Sequence, residues 1–328
     1  MKKIIGLLTI LFMAGMIFAN GSKESSSKGP YKMKFGNTAG EKDTQTMGLY
    51  EVAKRLNASG LFAVEVFPSS ALGDTDDIVE QGLQGAPVLT VTDPGRIMSY
   101  ISDFGVIQMP YMFEDASGLN DLIQTPLYKE WEKEFEKKFG LKLITSNWYS
   151  GARNFVCDKE INKPSDLKGL KIRTIGSPLY TESIKAMGAV PTPMAWSEVY
   201  SAIQQKAIDG AEVQTPSSYA TRLYEISKVT NRTGHFQLIG CVVMGADVFN
   251  SWSKEAQDLF VKTFREVGTE NQALVKKLTV EYEKEMAAKG MIIRDLDKTP
   301  FIEAVQPVYA TLGYTKLRDE LFKQLGKK

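Results

Sequence analysis

The polarity pattern of the chain switches between strand and helix periods from Tyr31 onward. Strands are predicted at Tyr31 to Asn37, Phe62 to Phe67 and Val88 to Val91, where apolar residues alternate with polar ones or form a short run. Between them, Thr46 to Asn57 and Asp74 to Gly82 carry apolar residues at helical spacing. This β-α-β-α-β order predicts a parallel sheet with helical crossovers.

A second series of the same kind begins near Leu141 and predicts a second α/β lobe. Small-molecule sites in such sheets lie at the carboxyl ends of strands, and a cleft between lobes is a common position for them. The predicted strands are Leu141 to Trp148, Asn154 to Val156, Leu170 to Thr174 and Gly210 to Val213, and the predicted helices are Leu179 to Met187 and Glu198 to Lys206, the last behind Ser197 as N-cap.

Helical spacing of apolar residues runs from Ser253 to Lys289. At 1.5 Å per residue such a helix is on the order of 50 Å long. A single lobe does not need a rod of that length, so we expect it to pack along both lobes. Gly268 is the point at which we expect that it can bend.

The N-terminal segment has the features of an export signal. Lys2 and Lys3 precede an apolar run of sixteen residues, Ile4 to Ala19, which is short for a permanent membrane anchor. We expect cleavage after Ala19 and a soluble extracytoplasmic mature protein without direct membrane insertion. The predicted organisation is a signal peptide over residues 1–19, a flexible leader over 20–30, lobe I over 31–150 plus about 239–278, and lobe II over 151–238 plus about 279–328.

Composition and charge argue against several classes of function. The 40 basic and 39 acidic residues give a net charge of +1, which argues against a nucleic-acid partner. The chain has one histidine and lacks the GxSxG, P-loop, GxGxxG and HExxH motifs, so we expect neither catalysis nor a cofactor or metal. Cys157 and Cys241 lie in strand-like runs; a disulfide and two buried thiols are both open, and the thiols are favoured.

Two arginines carry the clearest candidate chemistry. Arg153 follows Ser150 and Gly151, and Arg173 ends the predicted strand that begins behind Gly169. An arginine at the end of a strand can hold its guanidinium in a cleft and bind a carboxylate through two parallel hydrogen bonds. The alternatives are a surface salt bridge or a packed stem for Arg173, and an ion pair near a hinge for Arg153.

Other polar and aromatic residues are weaker candidates. Trp148 and Trp196 could line a pocket, although aromatic side chains at this density are more often in a core. His235 is more often a structural histidine than a ligand contact. Asp93 and Arg96 follow a predicted strand, in a loop suited to polar contacts, and their alternative is a local Asp-Arg turn pair.

Several stretches together resemble the substrate-binding proteins of TRAP (tripartite ATP-independent periplasmic) transporters. The likeness covers nearly the whole mature chain and is more specific in combination than in any one part. It lies in the stretches SSALGDTDDIVEQGLQGAPVLTVTDPG, DFGVIQMPYMFED, NWYSGARNF, KPSDLKGLKIRTIGSPLY, GAVPTPMAWSEVYSAIQQKAIDGAE and VVMGADVFNSWSKEAQDLF.

The resemblance implies a fold, a function and roles for matching residues. It implies a two-lobed periplasmic-binding-protein-like α/β fold with crossing hinge strands and a long lobe-spanning helix. It implies capture of a small organic acid for delivery to TRAP membrane permease subunits. Arg173 would bind the ligand carboxylate, Arg153 would support it, Trp196 would pack on the ligand, and the loop with Asp93 and Arg96 would contact its distal end.

Two other partners stay open at this point. The same cleft would serve a ligand-sensing protein that presents the acid to a chemoreceptor or sensor kinase. It would also serve the binding protein of an ATP-driven importer, which the motifs favour less. Genes for TRAP permease subunits next to the gene of this protein would favour transport over the ligand-sensing role.

One position departs from the family pattern. Many members carry an asparagine directly after the DGAE or DGQE stretch, where this chain has Val213 followed by Gln214. Valine cannot donate the hydrogen bond of the asparagine. Either Gln214 replaces it or the pocket is more apolar there, and Trp148, Trp196 and Val213 slightly favour a less polar acid.

Overall fold

The computed structural model describes residues 29–327. The predicted signal peptide and nearly all of the predicted leader lie outside the described residues. Within this range the strands are β1 Tyr31–Gly36, β2 Phe62–Phe67, β3 Val88–Thr92, β4 Leu141–Cys157, β5 Lys171–Thr174, β6 Val190–Pro193, β7 Gly210–Gln214, β8 Val229–Gly245 and β9 Ile292–Arg294.

Helices lie between most of these strands. The α-helices are α1 Thr44–Ala58, α2 Thr75–Leu83, α3 Pro94–Ile97, α4 Leu119–Leu122, α5 Pro126–Phe139, α6 Pro178–Ala186, α7 Val199–Gln204, α8 Thr215–Ala220, α9 Ala246–Asn250, α10 Lys254–Ala288, α11 Thr299–Thr311 and α12 Thr315–Gln324. Short 3-10 helices cover Ser102–Gln108, Pro164–Leu167, Trp196–Glu198 and Leu223–Glu225. No helix within residues 29–327 is both long and apolar enough to cross a membrane.

The strands form one sheet in the order β2-β1-β3-β8-β4-β7-β5-β6, with β9 paired to β8. β1 pairs in parallel with β2 and β3, and β5 pairs in parallel with β6 and β7, so parallel pairing is confirmed in both halves. The first lobe is built on β1 to β3 and the second on β5 to β7. β4 and β8 are antiparallel strands of 17 residues each that run through both lobes.

Two predicted boundaries were wrong. The strands predicted at Leu141 to Trp148 and Asn154 to Val156 form the single strand β4, because β8 provides a continuous partner and register shifts absorb the turn residues between them. Ser197 is not an N-cap: it lies inside a 3-10 helix, and α7 begins only at Val199, after Glu198.

Helix α10 is unbroken over 35 residues, close to the predicted bounds, and is about 52 Å long. It packs along both lobes, as expected. Phe260 and Phe264 lie in the core of the first lobe, whereas Tyr282 and Met286 lie in that of the second. Gly268 permits close packing: a Cβ there would lie 2.6 Å from the Trp148 ring.

The C-terminal helices contact both halves of the molecule. Tyr309, on α11, donates to the carbonyl of Pro110, and the amide of Leu127 donates to Gln324 of α12. α11 also packs against α6 of the second lobe. The predicted domain boundaries, which place residues 279–328 wholly in the second lobe, stay a prediction.

Cys157 and Cys241 are buried free thiols, the alternative that the sequence favoured. Cys157 pairs with Val229 at one end of β8, and Cys241 lies twelve residues further along that strand, beside β3. At about 3.3 Å per residue the two are roughly 40 Å apart. A disulfide requires Cα atoms within about 7 Å.

Candidate functional site

A cleft lies between the two lobes at the carboxyl ends of β1, β3, β5 and β7, where the sheet type predicts a site. Six of the eight predicted site residues line it: Arg173, Arg153, Trp196, Gln214, Asp93 and Arg96. The complete lining is Thr38, Ala39, Gln45, Thr75, Val91, Thr92, Asp93, Arg96, Arg153, Arg173, Ile175, Trp196, Gln214, Ser217 and Leu238.

Arg173 is a buried cation on β5, with 2% of its surface exposed. Its Nε and Nη2 donate to the carbonyl of Met194 at 3.2 and 3.0 Å, and its Cζ lies 5.2 Å from the centroid of the Trp196 ring. Within residues 29–327 no carboxylate lies within 4.0 Å of its guanidinium. Burial and the like charge of Arg153 lower the pKa of Arg173 to about 9, so it stays charged at neutral pH.

Arg153, in contrast, is neutralised by Glu212. Its Nε donates to Glu212 Oε2, and its Nη2 donates to Glu212 Oε1 at 2.8 Å and to the Glu212 carbonyl at 2.6 Å. Thr174 also donates to the carboxylate, at 2.7 Å. Burial acts to raise the pKa of Glu212, but the charge of Arg153, the nearby His235 ring and the hydrogen bonds from Arg153 hold it at about 2. The ion pair predicted as the alternative for Arg153 is therefore present inside the cleft wall.

His235 does not line the cleft, so its prediction as a ligand contact is corrected. Its ring is fully buried and stacks on Phe155 with centroids 4.6 Å apart. Nδ1 lies 2.7 Å from Thr233 Oγ1, and Nε2 lies 3.7 Å from Glu212 Oε2. Burial lowers the pKa of His235. It is a structural side chain behind the ion pair of Arg153 and Glu212.

Trp148 does not line the cleft either; it lies in the core of the first lobe. Its Nε1 donates to the carbonyl of Phe264 at 2.9 Å. Glycines on α1 and α10 make room for its ring, since a Cβ at Gly48 or Gly268 would lie 2.9 or 2.6 Å from it. Trp148 thus fastens β4 to two helices and is not a ligand contact.

The loop after β3 holds both of its predicted residues at the cleft. Asp93 caps α3 by accepting from the amide of Arg96, and Arg96 Nη1 donates to Asp93 Oδ2 at 2.5 Å. Arg96 Nε also lies 3.4 Å from a carboxylate oxygen of Asp76. Tyr180, from the second lobe, donates to Asp93 Oδ1 at 2.8 Å. The local Asp-Arg pair and the position in the cleft therefore coexist.

Strand alternation separates Val213 from Gln214. Val213 is 1% exposed and packs in the core of the second lobe, whereas Gln214 lines the cleft. Gln214 accepts from Arg153 Nη1 at 3.0 Å and donates to Ser217 Oγ at 2.7 Å. Since Val213 and Trp148 are both core residues, two of the three residues that favoured a less polar acid have no part in the cleft.

Sequence reasoning missed several cleft residues. Gln45 and Ser217 lie in the first turns of α1 and α8. Glu212 had a visible signal, because a carboxylate between the apolar residues Ala211 and Val213 of a short strand requires a buried cation as its partner. The identity of that partner is not visible in the sequence, since Arg153 is 59 positions away.

Comparison with known proteins agrees with this geometry. The family model for bacterial extracellular solute-binding proteins, family 7, matches residues 35–316. A solute-binding protein of Verminephrobacter eiseniae is 30% identical over 280 residues, which cover 84% of this chain and 79% of that protein. The sialic acid-binding periplasmic protein of Vibrio cholerae is 28% identical over 252 residues, 77% of this chain and 78% of that protein.

Solved structures show the same architecture. The TRAP periplasmic solute-binding protein of Actinobacillus succinogenes with bound L-galactonate has a TM-score of 0.85 and 27% identity, covering 89% of this chain and 99% of that one. Its two-lobed fold confirms the predicted fold class. The chain belongs to family 7 of the bacterial extracellular solute-binding proteins, the substrate-binding proteins of TRAP transporters.

Proposed function

We propose that this protein binds a small hydroxylated acid with one carboxylate outside the cytoplasm and delivers it to TRAP permease subunits, without chemical turnover. The observation that carries the proposal is Arg173, a buried cation in the cleft wall without a carboxylate partner among residues 29–327. Burying an unpaired charge is costly unless a ligand or a partner compensates it. A ligand carboxylate supplies that compensation through charged hydrogen bonds.

The charges of the cleft favour one carboxylate over two. Arg153 is paired with Glu212, and Arg96 is paired with Asp93 and also contacts Asp76, so neither arginine is an unpaired cation. Arg173 is left as one uncompensated positive charge. The second carboxylate of a C4-dicarboxylate would find no second unpaired cation in the lining, because Arg96 and Arg153 already have carboxylate partners. The cleft therefore matches a monoanion better than a dianion.

The remaining lining favours hydroxyl groups on the ligand. Ten of the fifteen lining residues are polar, and Thr38, Gln45, Thr75, Thr92 and Gln214 among them offer hydroxyl or amide groups to a ligand. Trp196 adds one aromatic face beside Arg173. The relatives named for sialic acid and L-galactonate support this choice, because both compounds are hydroxylated acids with a single carboxylate.

A thermal-shift screen followed by calorimetry tests the proposal. The panel holds sugar acids such as L-galactonate and D-glucuronate, C4-dicarboxylates, and the corresponding neutral sugars. We expect a hydroxylated monoacid to raise the melting temperature most, because a ligand that binds only the folded state stabilises it. A best response from a neutral sugar or a C4-dicarboxylate would contradict the charge argument.

Arg173→Ala is the decisive variant, and Arg55→Ala is its matched control. Arg55 lies on α1 and pairs with Glu51 and Glu270 at the surface, outside the cleft lining. A charged hydrogen bond contributes about 1.5–3 kcal/mol, so Arg173→Ala should weaken binding of the best acid by at least about tenfold. Binding within about threefold of wild type in Arg173→Ala would show that the anchor lies elsewhere.

A further inference from the structure

Two hydroxyl groups of the second lobe bond to two aspartates of the first lobe. Ser217, on α8, donates to Asp43 Oδ2, and Tyr180, on α6, donates to Asp93 Oδ1 at 2.8 Å. All four side chains are at least nine-tenths buried: exposure is 5% for Ser217, 0% for Tyr180, 1% for Asp43 and 4% for Asp93. Each lobe therefore presents these groups to the other and not to solvent.

Both aspartates are held in place by their own lobe. Asp43 is the N-cap of α1 and accepts from the amide of Gln45 at 2.8 Å. Asp93 is the N-cap of α3 and accepts from the amide of Arg96 at 3.2 Å. An N-cap carboxylate is fixed by the helix that it caps. Each therefore offers the second lobe an acceptor with little remaining freedom.

On the second lobe, both hydroxyls depend on Arg153. Gln214 accepts from Arg153 Nη1 at 3.0 Å and donates to Ser217 Oγ at 2.7 Å, which orients that hydroxyl towards Asp43. The Tyr180 ring lies 5.9 Å from Arg153 Cζ, within the range of a cation–π contact. Arg153 is thus the common support of both contacts.

The fit at Tyr180 also leaves no room for a side chain opposite. A Cβ on Gly95 would overlap Tyr180 Cε2. Gly95 is not among the glycines with positive φ, so its backbone does not require glycine. The close approach of the lobes does require it, because even one methyl group would hold the α3 loop away from α6.

We propose that Tyr180 and Ser217 are positioning residues that hold the lobes shut on the solute, with Arg153 as their shared support. Arg153, whose charge Glu212 neutralises, then acts on ligand retention through closure, whereas Arg173 provides the charge for the acid. The inference rests on the proposed function in requiring a solute bound in the cleft. The inference goes beyond the proposed function because it assigns different roles to the two arginines, closure to Arg153 and ligand charge to Arg173.

The proposal is tested by measuring the distance between spin labels on the two lobes. The labels replace Lys54 on α1 and Lys185 on α6, whose side chains are 76% and 69% exposed. Spectra are recorded without solute and with a mixture of L-galactonate, D-glucuronate and sialic acid. The ratio of the short to the long distance measures the closed and open populations.

We expect Tyr180→Phe and Ser217→Ala each to lower the closed-to-open ratio about tenfold, the factor that one hydrogen bond to a carboxylate of roughly 1.4 kcal/mol accounts for. Gly95→Ala should remove the short distance. Ser217→Thr keeps a hydroxyl and should stay near wild type. Ser183→Ala is the control, because its buried hydroxyl bonds to Leu179 within α6.

Three results would overturn the proposal. The first is a ratio within twofold of wild type in both Tyr180→Phe and Ser217→Ala. The second is an equal loss in Ser183→Ala, which would indicate a general packing effect in the second lobe. The third is a wild-type protein that shows only the long distance in every sample. The Arg173→Ala variant tests the proposed function apart from this inference. Its closed-to-open ratio without solute should equal that of wild type, whereas acids should no longer change that ratio.

Discussion

Glu212→Gln tests how much the buried ion pair with Arg153 stabilises the fold. Burial acts to raise the pKa of Glu212, but the charge of Arg153, the nearby His235 ring and the hydrogen bonds from Arg153 lower it from 4.5 to about 2. With 4.5 for the unfolded chain, the difference of about 2.5 pH units at about 1.36 kcal/mol each gives about 3 kcal/mol of stability. Removing one partner of a buried pair independently costs about 3–5 kcal/mol.

The sign of the pH dependence follows from the depressed pKa. The folded protein binds the proton of Glu212 less readily than the unfolded chain does. The contribution is therefore fully present above pH 4.5 and is lost as the pH falls from 4.5 towards 2. At pH 3 roughly half of it should remain.

Urea denaturation of the solute-free protein measures the effect. Glu212→Gln should lower the free energy of unfolding by about 3 kcal/mol at pH 7, and the gap to wild type should shrink at pH 3. Glu51→Gln is the control: this carboxylate bonds to Lys54 and Arg55 on the surface, where an ion pair contributes at most about 1 kcal/mol. A gap below about 1 kcal/mol for Glu212→Gln at pH 7, or one that is equal at both pH values, would refute the reasoning.

Three further predictions concern stability and thiol chemistry. Arg173→Gln should raise the free energy of unfolding of the solute-free protein by about 1–3 kcal/mol in urea titrations, because it removes a buried unpaired charge. The same variant should abolish acid binding. A lower free energy of unfolding would show that the charge is compensated in the native protein. Gly268→Ala should cost about 1–3 kcal/mol through overlap with Trp148, whereas Gly118→Ala, with its nearest atom at 3.5 Å, should be close to neutral in the same titration. Both cysteines should resist a thiol reagent in the native state and react only on unfolding, and rapid native labelling would contradict their burial.

The sequence predicted the parallel halves of the sheet and the long helix because their polarity periods are strong and local. It predicted Arg173 and Asp93 for a related reason: polar residues that end a strand or directly follow it lie at its carboxyl end, where the cleft forms. β6 was missed, since VPTP carries two prolines that are tolerated there only because it is an edge strand.

The errors at Trp148 and His235 have a different origin. Alternate residues of a strand face opposite sides of a sheet, but β4 loses its register with β8 next to Trp148, between Thr145 and Trp148, and opposite His235, between Arg153 and Phe155. Such irregularities have no local signal in the sequence. An aromatic residue beside a turn therefore gives the same pattern whether it faces the cleft or the core.

The two irregularities around Arg153 have a mechanical consequence. The pairing of β4 with β8 shifts between Tyr149 and Gly151 and again between Arg153 and Phe155. Bending of the two strands at these shifts would displace Asp93 more than Arg153, because Arg153 lies beside the point of bending and Asp93 lies further from it. A solute held by Arg173 and beside Arg153 would then keep its position while the loop with Asp93 moves towards its far end.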